Sequence, residues 1–280
     1  MTRLMRIDYQ APTAAADFTA SLHDLGFAIL QSPPIPPGLV AQVYQDWQFF
    51  FNSDDKFNYT FDPQRQRGYF PFRLERAKTQ EHPDLKEFFH LYEPADLPTG
   101  LSQATWTLFE TLLNLGMELL TWLEAHCPPE IQARFERSLA AMTTDSPETL
   151  LRILHYPPLP PDIPPGVIRA AAHEDVNLIT LLPAATAAGL EVQDRDGAWY
   201  QVPAETGDLV VNVGDMLQLA SQGYYRSTTH QVVNPDTATA GESRFSLPLF
   251  IHPHPNVQLA PGITAHQYLH QRLRDIGLLS

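Results

Sequence analysis

The run AAHEDVNLITLLP, residues 171–183, decides how this chain folds. It opens on the polar triplet His173-Glu174-Asp175 and passes into the apolar stretch Leu178–Leu182, which a proline closes. A short apolar run ended by a strand breaker reads as a buried strand. On an extended chain residues two apart share a face, so His173 and Asp175 are expected to aim at one point and Glu174 away from it. A second run, YYRSTTHQVVNP (224–235), carries His230 in another strand-like segment, 55 residues beyond Asp175. Two imidazoles and one carboxylate are the ligand set of a non-haem Fe(II) facial triad, which leaves metal positions open for substrate and O2.

The sequence around these runs has the same texture. From residue 150 onward, LLRILHY, LITLLP, GLEVQD, WYQV, DLVVNV, MLQLA, STTHQVV and RFSLPLFI read as short strands, with Asp196-Gly197, Gly207-Asp208 and Gly214-Asp215 supplying turns. Strands at this spacing predict a sandwich or jelly roll, whose facing sheets can bring His230 to His173. The first 150 residues read mainly helical. A short amphipathic helix over Phe18–Leu25 leads into the strand-like GFAIL, and Pro37 opens a helix with Leu39, Val43, Trp47, Phe50 and Phe51 on one side. The longest helix is expected from Leu101 to about Glu124, with a stripe through Leu108, Leu112, Leu115, Leu119 and Leu123 and a stop at Pro128-Pro129. A terminal helix is expected over Thr264–Ile276.

Composition narrows the function. With 44% hydrophobic and 18% charged residues, the 280-residue chain has the balance of an ordinary globular protein. Its net charge of -14 repels polyanions, so no nucleic-acid partner is expected. The opening MTRLMRIDYQAP has no apolar signal core and no run is long enough to span a bilayer, so no membrane partner and a cytoplasmic location are expected. Cys127, the single cysteine, cannot form an internal disulfide, which agrees with a reducing compartment, and is expected to pack at a helix end. The sequence leaves the oligomeric state open, with a monomer among the readings.

The run SRFSLPLFIHP (243–253) adds Arg244, 14 residues after His230, with Ser246 two residues on and therefore on the same side of a strand. A guanidinium fork binds a carboxylate bidentately and a neighbouring hydroxyl donates a further bond, so the pair reads as a carboxylate clamp. The plainer alternative is a strand arginine with a surface partner.

Taken together, HEDVNLITLL, GDLVVNVGDMLQLASQGYYRSTTHQVVNP and RFSLPLF resemble the isopenicillin-N-synthase-like branch of the Fe(II)/2-oxoglutarate-dependent oxygenases, and ASLHDLGFAIL, QRGYFPF and DLKEFFHLY resemble its N-terminal region. The resemblance implies a mainly β fold with helices: a double-stranded β-helix (jelly-roll) core over 150–280 with a C-terminal helix, and a mostly helical region over 1–149 packed on it. It implies Fe(II) on His173, Asp175 and His230, and 2-oxoglutarate held by Arg244, Ser246 and Tyr156, where Tyr156 matches a tyrosine of the family. Plant members commonly carry Asn two residues before that tyrosine, whereas Leu154 stands here, and Gln231 stands where Arg or Lys is frequent. The implied activity is oxidation, most often hydroxylation, of a small organic molecule with O2, releasing succinate and CO2. Two other readings stay open at this level. One is an Fe(II) oxidase or cyclase of the same fold that uses O2 without 2-oxoglutarate, with Arg244 and Ser246 holding the substrate's carboxylate. The other is a non-catalytic metabolite or iron sensor.

Several residues outside these motifs have bland readings. His155, His252 and His254 are expected to be structural, Glu174 a solvated neighbour, and Phe245 and Phe250 core. Arg67, in the loop that the family places over the site, is expected in a salt bridge or at the surface, with an acidic substrate as the alternative. Asn212 either faces the site or satisfies a turn.

Overall fold

Leu178–Leu182 is central in space as well as in sequence: its strand, Ile179–Pro183, is hydrogen-bonded along both edges. The computed structural model describes residues 4–62, 66–75, 82–93 and 95–275. In chain order its elements are β1 (Arg6–Asp8), α1 (Ala14–Asp24), β2 (Phe27–Gln31), α2 (Leu39–Asn52), β3 (Gly68–Phe70), β4 (Glu87–Tyr92), α3 (Ala104–His126), α4 (Pro129–Gln132), α5 (Leu139–Met142), β5 (Leu150–Tyr156), β6 (Ala170–His173), β7 (Ile179–Pro183), β8 (Leu190–Gln193), β9 (Trp199–Gln201), β10 (Leu209–Val213), α6 (Asp215–Ala220), β11 (His230–Val232), β12 (Arg244–Ser246), β13 (Leu249–Ile251), β14 (Gln258–Ala260), β15 (Ile263–Thr264) and α7 (Ala265–Asp275).

The large sheet runs β1-β2-β10-β7-β13-β5-β4-β3, with β12 also paired to β5, and the smaller sheet runs β6-β11-β8-β9. This is the jelly roll expected from the strand spacing. Residues before 150 complete it: β2 lies antiparallel to β10 and β4 antiparallel to β5.

Two apolar cores follow from strands that bury both faces, which read as continuous rather than alternating hydrophobic runs. In β10, Val211 belongs to the outer core between the large sheet and the helices, where Trp47, Leu112, Leu119 and Ile251 also lie. Val210 points the other way, into the barrel with Phe27, Ile29, Phe88, Leu154, Tyr156 and Val192. The leucine stripe of α3 is fully buried on the outer core at Leu108, Leu112, Leu119 and Leu123, each contributing roughly 1.5–3 kcal/mol. Gly116 lets α3 approach β13, since a Cβ there would stand 2.0 Å from Ile251 Cδ1.

The structure departs from the sequence reading at several points. MLQLA is not a strand but lies in α6. None of its residues is β-branched and all are good helix formers, and a short apolar run does not by itself distinguish the two conformations. RFSLPLFI divides into β12 and β13 around Leu247-Pro248, where proline has no N–H for the ladder. α2 starts at Leu39 after Gly38 at φ 79, so Pro37 precedes it, and α3 starts at Ala104, leaving Leu101 outside. Cys127 caps α3 and is buried. The terminal helix is α7, and Ile276 lies outside the described residues. Among the described residues no helix is long and apolar enough to cross a membrane.

Candidate active site

His173 ends β6 and His230 begins β11, and the two are direct antiparallel partners with ring centroids 4.4 Å apart. Strand register thus delivers both imidazoles to one spot. Asp175 lies past the end of β6, so strand alternation is not what aims it. Its carbonyl accepts from the Asp215 backbone N–H at 2.8 Å, and its Oδ2 accepts from Thr180 Oγ1 at 2.6 Å and Asn212 Nδ2 at 2.8 Å. Oδ1 is left facing His230 Nε2 at 3.6 Å and His173 Nε2 at 3.9 Å.

The far nitrogens of the two rings are also engaged: His173 Nδ1 lies 2.7 Å from the Ala171 carbonyl and His230 Nδ1 3.0 Å from that of Thr228. A carbonyl can only accept, so each Nδ1 carries the proton and each Nε2 presents a lone pair inward. One ligand atom from each of His173, Asp175 and His230 falls within 4.8 Å of the others, and among the described residues no second group of this kind forms. Burial alone would raise the Asp175 pKa, but the facing His230 and His173 rings and the Thr180 and Asn212 hydrogen bonds outweigh it and hold the carboxylate low. Burial, with the neighbouring His230 ring acting in the same direction, pushes His173 down to about 4, although 41% of its side chain remains exposed. Two imidazoles turned inward through Nε2 and one ionised carboxylate fit a divalent iron.

Of three residues behind the triad, Asn177 and Thr180 were not singled out by the sequence reading, and Asn212, left open there between facing the site and satisfying a turn, faces the site. Asn177 donates to Thr180 Oγ1 at 2.8 Å, Thr180 donates to Asp175, and Asn212 donates to the same carboxylate oxygen. The signal was present: Thr180 and Asn212 interrupt otherwise apolar strands, and a polar side chain in a buried strand needs a partner.

Farther inside the barrel, Arg244 pairs across strands with Tyr156 and Ser246 with Leu154. Arg244, Ser246 and Tyr156 are 2%, 3% and 2% exposed, so the alternative of a surface arginine is excluded. The Arg244 guanidinium lies 5.1 Å from the Tyr156 ring centre and donates from Nε to the Ala187 carbonyl at 2.9 Å, while its NH1 nitrogen is buried without a partner. A buried donor left unpaired is costly and fits a carboxylate ligand.

The remaining candidates sit elsewhere. Arg67 stacks over Tyr92 at 5.1 Å, Glu174 accepts from Thr229, and Gln231 donates to Glu191 at 2.8 Å. His155 is bonded to Glu87 at 2.7 Å and stacked on Phe245, both structural, and burial pushes the pKa of His252 down to about 4.

This architecture has counterparts among known proteins. Residues 147–253 match the family model of the 2OG-Fe(II) oxygenase superfamily, and residues 3–107 match that of the non-haem dioxygenase in morphine synthesis N-terminal region. A crystal structure from Shewanella oneidensis described as an oxygenase is 45% identical, covers 99% of this chain and 100% of its own, and superposes with a TM-score of 0.89. A 2OG-Fe(II) oxygenase family protein from Caulobacter crescentus is 30% identical with the same coverage and a TM-score of 0.81. A 2-oxoglutarate-dependent dioxygenase of Monascus ruber is 29% identical over 88% of this chain and 80% of its own length.

Proposed function

The chain belongs to the 2OG-Fe(II) oxygenase superfamily and is a non-haem Fe(II)- and 2-oxoglutarate-dependent oxygenase, and from that premise we propose that His173, Asp175 and His230 hold the iron, that Arg244, Ser246 and Tyr156 hold 2-oxoglutarate, and that the reaction hydroxylates a small organic molecule. The observation that carries the assignment is the convergence of two Nε2 atoms and Asp175 Oδ1, with every opposing atom already tied to protein.

When bound, the iron supplies oxidation of a C–H bond by O2, one oxygen atom entering the substrate and the other the succinate formed as 2-oxoglutarate loses CO2. The chain's own residues provide binding and orientation. Thr180 and Asn212 fix which oxygen of Asp175 faces the centre, and the Ala171 and Thr228 carbonyls fix the histidine tautomers. Arg244 would take the distal carboxylate of 2-oxoglutarate, with the Ser246 hydroxyl beside it, which sets the reach of the co-substrate from the metal. The apolar wall of Phe27, Ile29, Phe88 and Leu154 excludes water from that space. The net charge of -14 and the enclosed barrel favour a small ligand over a polyanion.

The test is anaerobic titration of the protein with Fe(II) and 2-oxoglutarate, which should produce the weak visible charge-transfer band of a chelated 2-oxo acid. His173→Ala and Asp175→Ala should each abolish it. The same band and iron stoichiometry in both variants would overturn the ligand assignment.

A further inference from the structure

Beside Arg244 a second arginine is buried in the barrel. Arg169, immediately before β6 and 1% exposed, has its guanidinium 5.9 Å from the centre of the Tyr156 ring that Arg244 also contacts. Its NH2 nitrogen donates to the Glu242 carbonyl at 2.9 Å, and its Nε is buried without a partner, as is Arg244 NH1. Among the described residues, neither guanidinium forms an ion pair with a carboxylate. Burial, with Arg244 reinforcing it, weakens the hold of Arg169 on its proton. Two like charges on one aromatic ring, each with an unused buried donor, are an unfavourable arrangement until an anion joins them. Arg169 stands four residues before His173, roughly 13 Å of strand, which places it at the inner end of the barrel rather than at the mouth.

We infer that Arg169 is a second ligand for the distal carboxylate of 2-oxoglutarate, so that this carboxylate is held between two guanidiniums, Arg244 on β12 and Arg169 before β6. The inference rests on the assignment of Arg244 to the co-substrate. Charge-assisted bonds to both arginines use the two orphaned donors and relieve the repulsion between them. The arrangement selects a 2-oxo acid with a second carboxylate and disfavours one with an apolar tail, which would leave both cations unmatched. It also ties the two sheets together when the co-substrate is bound, since β12 pairs in the large sheet and β6 in the small one.

The experiment compares anaerobic Fe(II) protein titrated with 2-oxoglutarate, with 2-oxobutyrate, which lacks the distal carboxylate, and with oxalate, which only chelates the metal. Arg169→Met should raise the dissociation constant for 2-oxoglutarate about tenfold or more, leave oxalate nearly unchanged, and narrow the preference over 2-oxobutyrate. Arg169→Lys should recover part of the loss. Without ligand, Arg169→Met should unfold at the wild-type temperature or above it, and its thermal shift on adding 2-oxoglutarate should shrink. Unchanged 2-oxoglutarate affinity, or equal loss for 2-oxoglutarate and oxalate, would overturn the inference. Should the Met variant fail to fold, Arg169→Gln replaces it with the same criteria. Arg244→Met run in parallel separates the two levels: if it loses 2-oxoglutarate and the Arg169 variants do not, only this inference fails. If it keeps 2-oxoglutarate, the clamp assignment itself fails.

Discussion

Asn212 donates its side-chain amide to Oδ2 of Asp175 at 2.8 Å, from within a strand whose other residues are all valine or leucine. With Thr180 on the same oxygen, it leaves Oδ1 as the only free acceptor of that carboxylate facing the two histidines. Asn212→Ala and Thr180→Val should therefore each weaken Fe(II) or Mn(II) binding by about 10- to 100-fold, the usual cost of removing a partner that orients a metal ligand. Metal titration by calorimetry, with circular dichroism to check folding, measures this. Wild-type affinity in both variants would mean that the Asp175 rotamer is fixed by something else.

The two ends of the 2-oxoglutarate site should separate by mutation. Arg244→Met should leave metal affinity nearly intact and weaken 2-oxoglutarate by roughly 30-fold or more, because it removes a buried charge from a charged pair. Tyr156→Phe and Ser246→Ala each remove one neutral hydroxyl and should cost only a few-fold, on the order of 1 kcal/mol. Titration of the charge-transfer band with 2-oxoglutarate ranks the three. A Tyr156→Phe loss as large as that of Arg244→Met would require the phenol to be the principal anchor.

What could be read in the sequence followed physical locality. His173, Asp175, His230, Arg244 and Ser246 announce themselves by residue type and spacing, and the strands around them by apolar runs between turn residues. MLQLA was misread because five mostly apolar residues carry no period long enough to separate helix from strand. β4 was missed because EFFHLY is a continuous run whose strand character depends on pairing with β5, far along the chain. Arg169 left no local mark at all: its significance comes from meeting Tyr156 and Arg244 across two sheets.

Close packing behind the triad predicts a severe effect at Gly214. Its φ of -104 suits any residue, so backbone strain is not the issue. A Cβ there would stand 2.0 Å from Asn177 Oδ1 and 2.3 Å from the Asn177 carbonyl oxygen. Gly214→Ala must push away the backbone that precedes Thr180 and should cost about 2 kcal/mol or more by urea denaturation, with metal affinity falling alongside. Gly38→Ala is the contrast: nothing lies within 4 Å, but φ is 79, so the cost should be about 1 kcal/mol and metal binding unaffected. Equal stability of the Gly214→Ala variant and wild type would refute the packing argument.

Acid sensitivity should trace in part to Glu87, which is buried on the outer side of the large sheet and bonded to His155 at 2.7 Å, to Lys56 at 3.1 Å and to the Tyr69 hydroxyl. Burial alone would raise its pKa, but these donors and the Lys56 charge hold it below the ordinary glutamate value. Because the folded pKa lies below the unfolded one, near 4.3, the unfolded chain takes up the proton first as pH falls. The stabilisation is thus complete above that value and is lost as pH drops through the folded pKa. Glu87→Gln should be less stable than wild type at pH 7, and the gap should narrow steadily below about pH 4. Urea denaturation of the metal-free proteins from pH 7 down to pH 3.5 follows the gap directly. A gap that stays constant across that range would mean that Glu87 acts through packing and neutral hydrogen bonding, with no contribution from its charge.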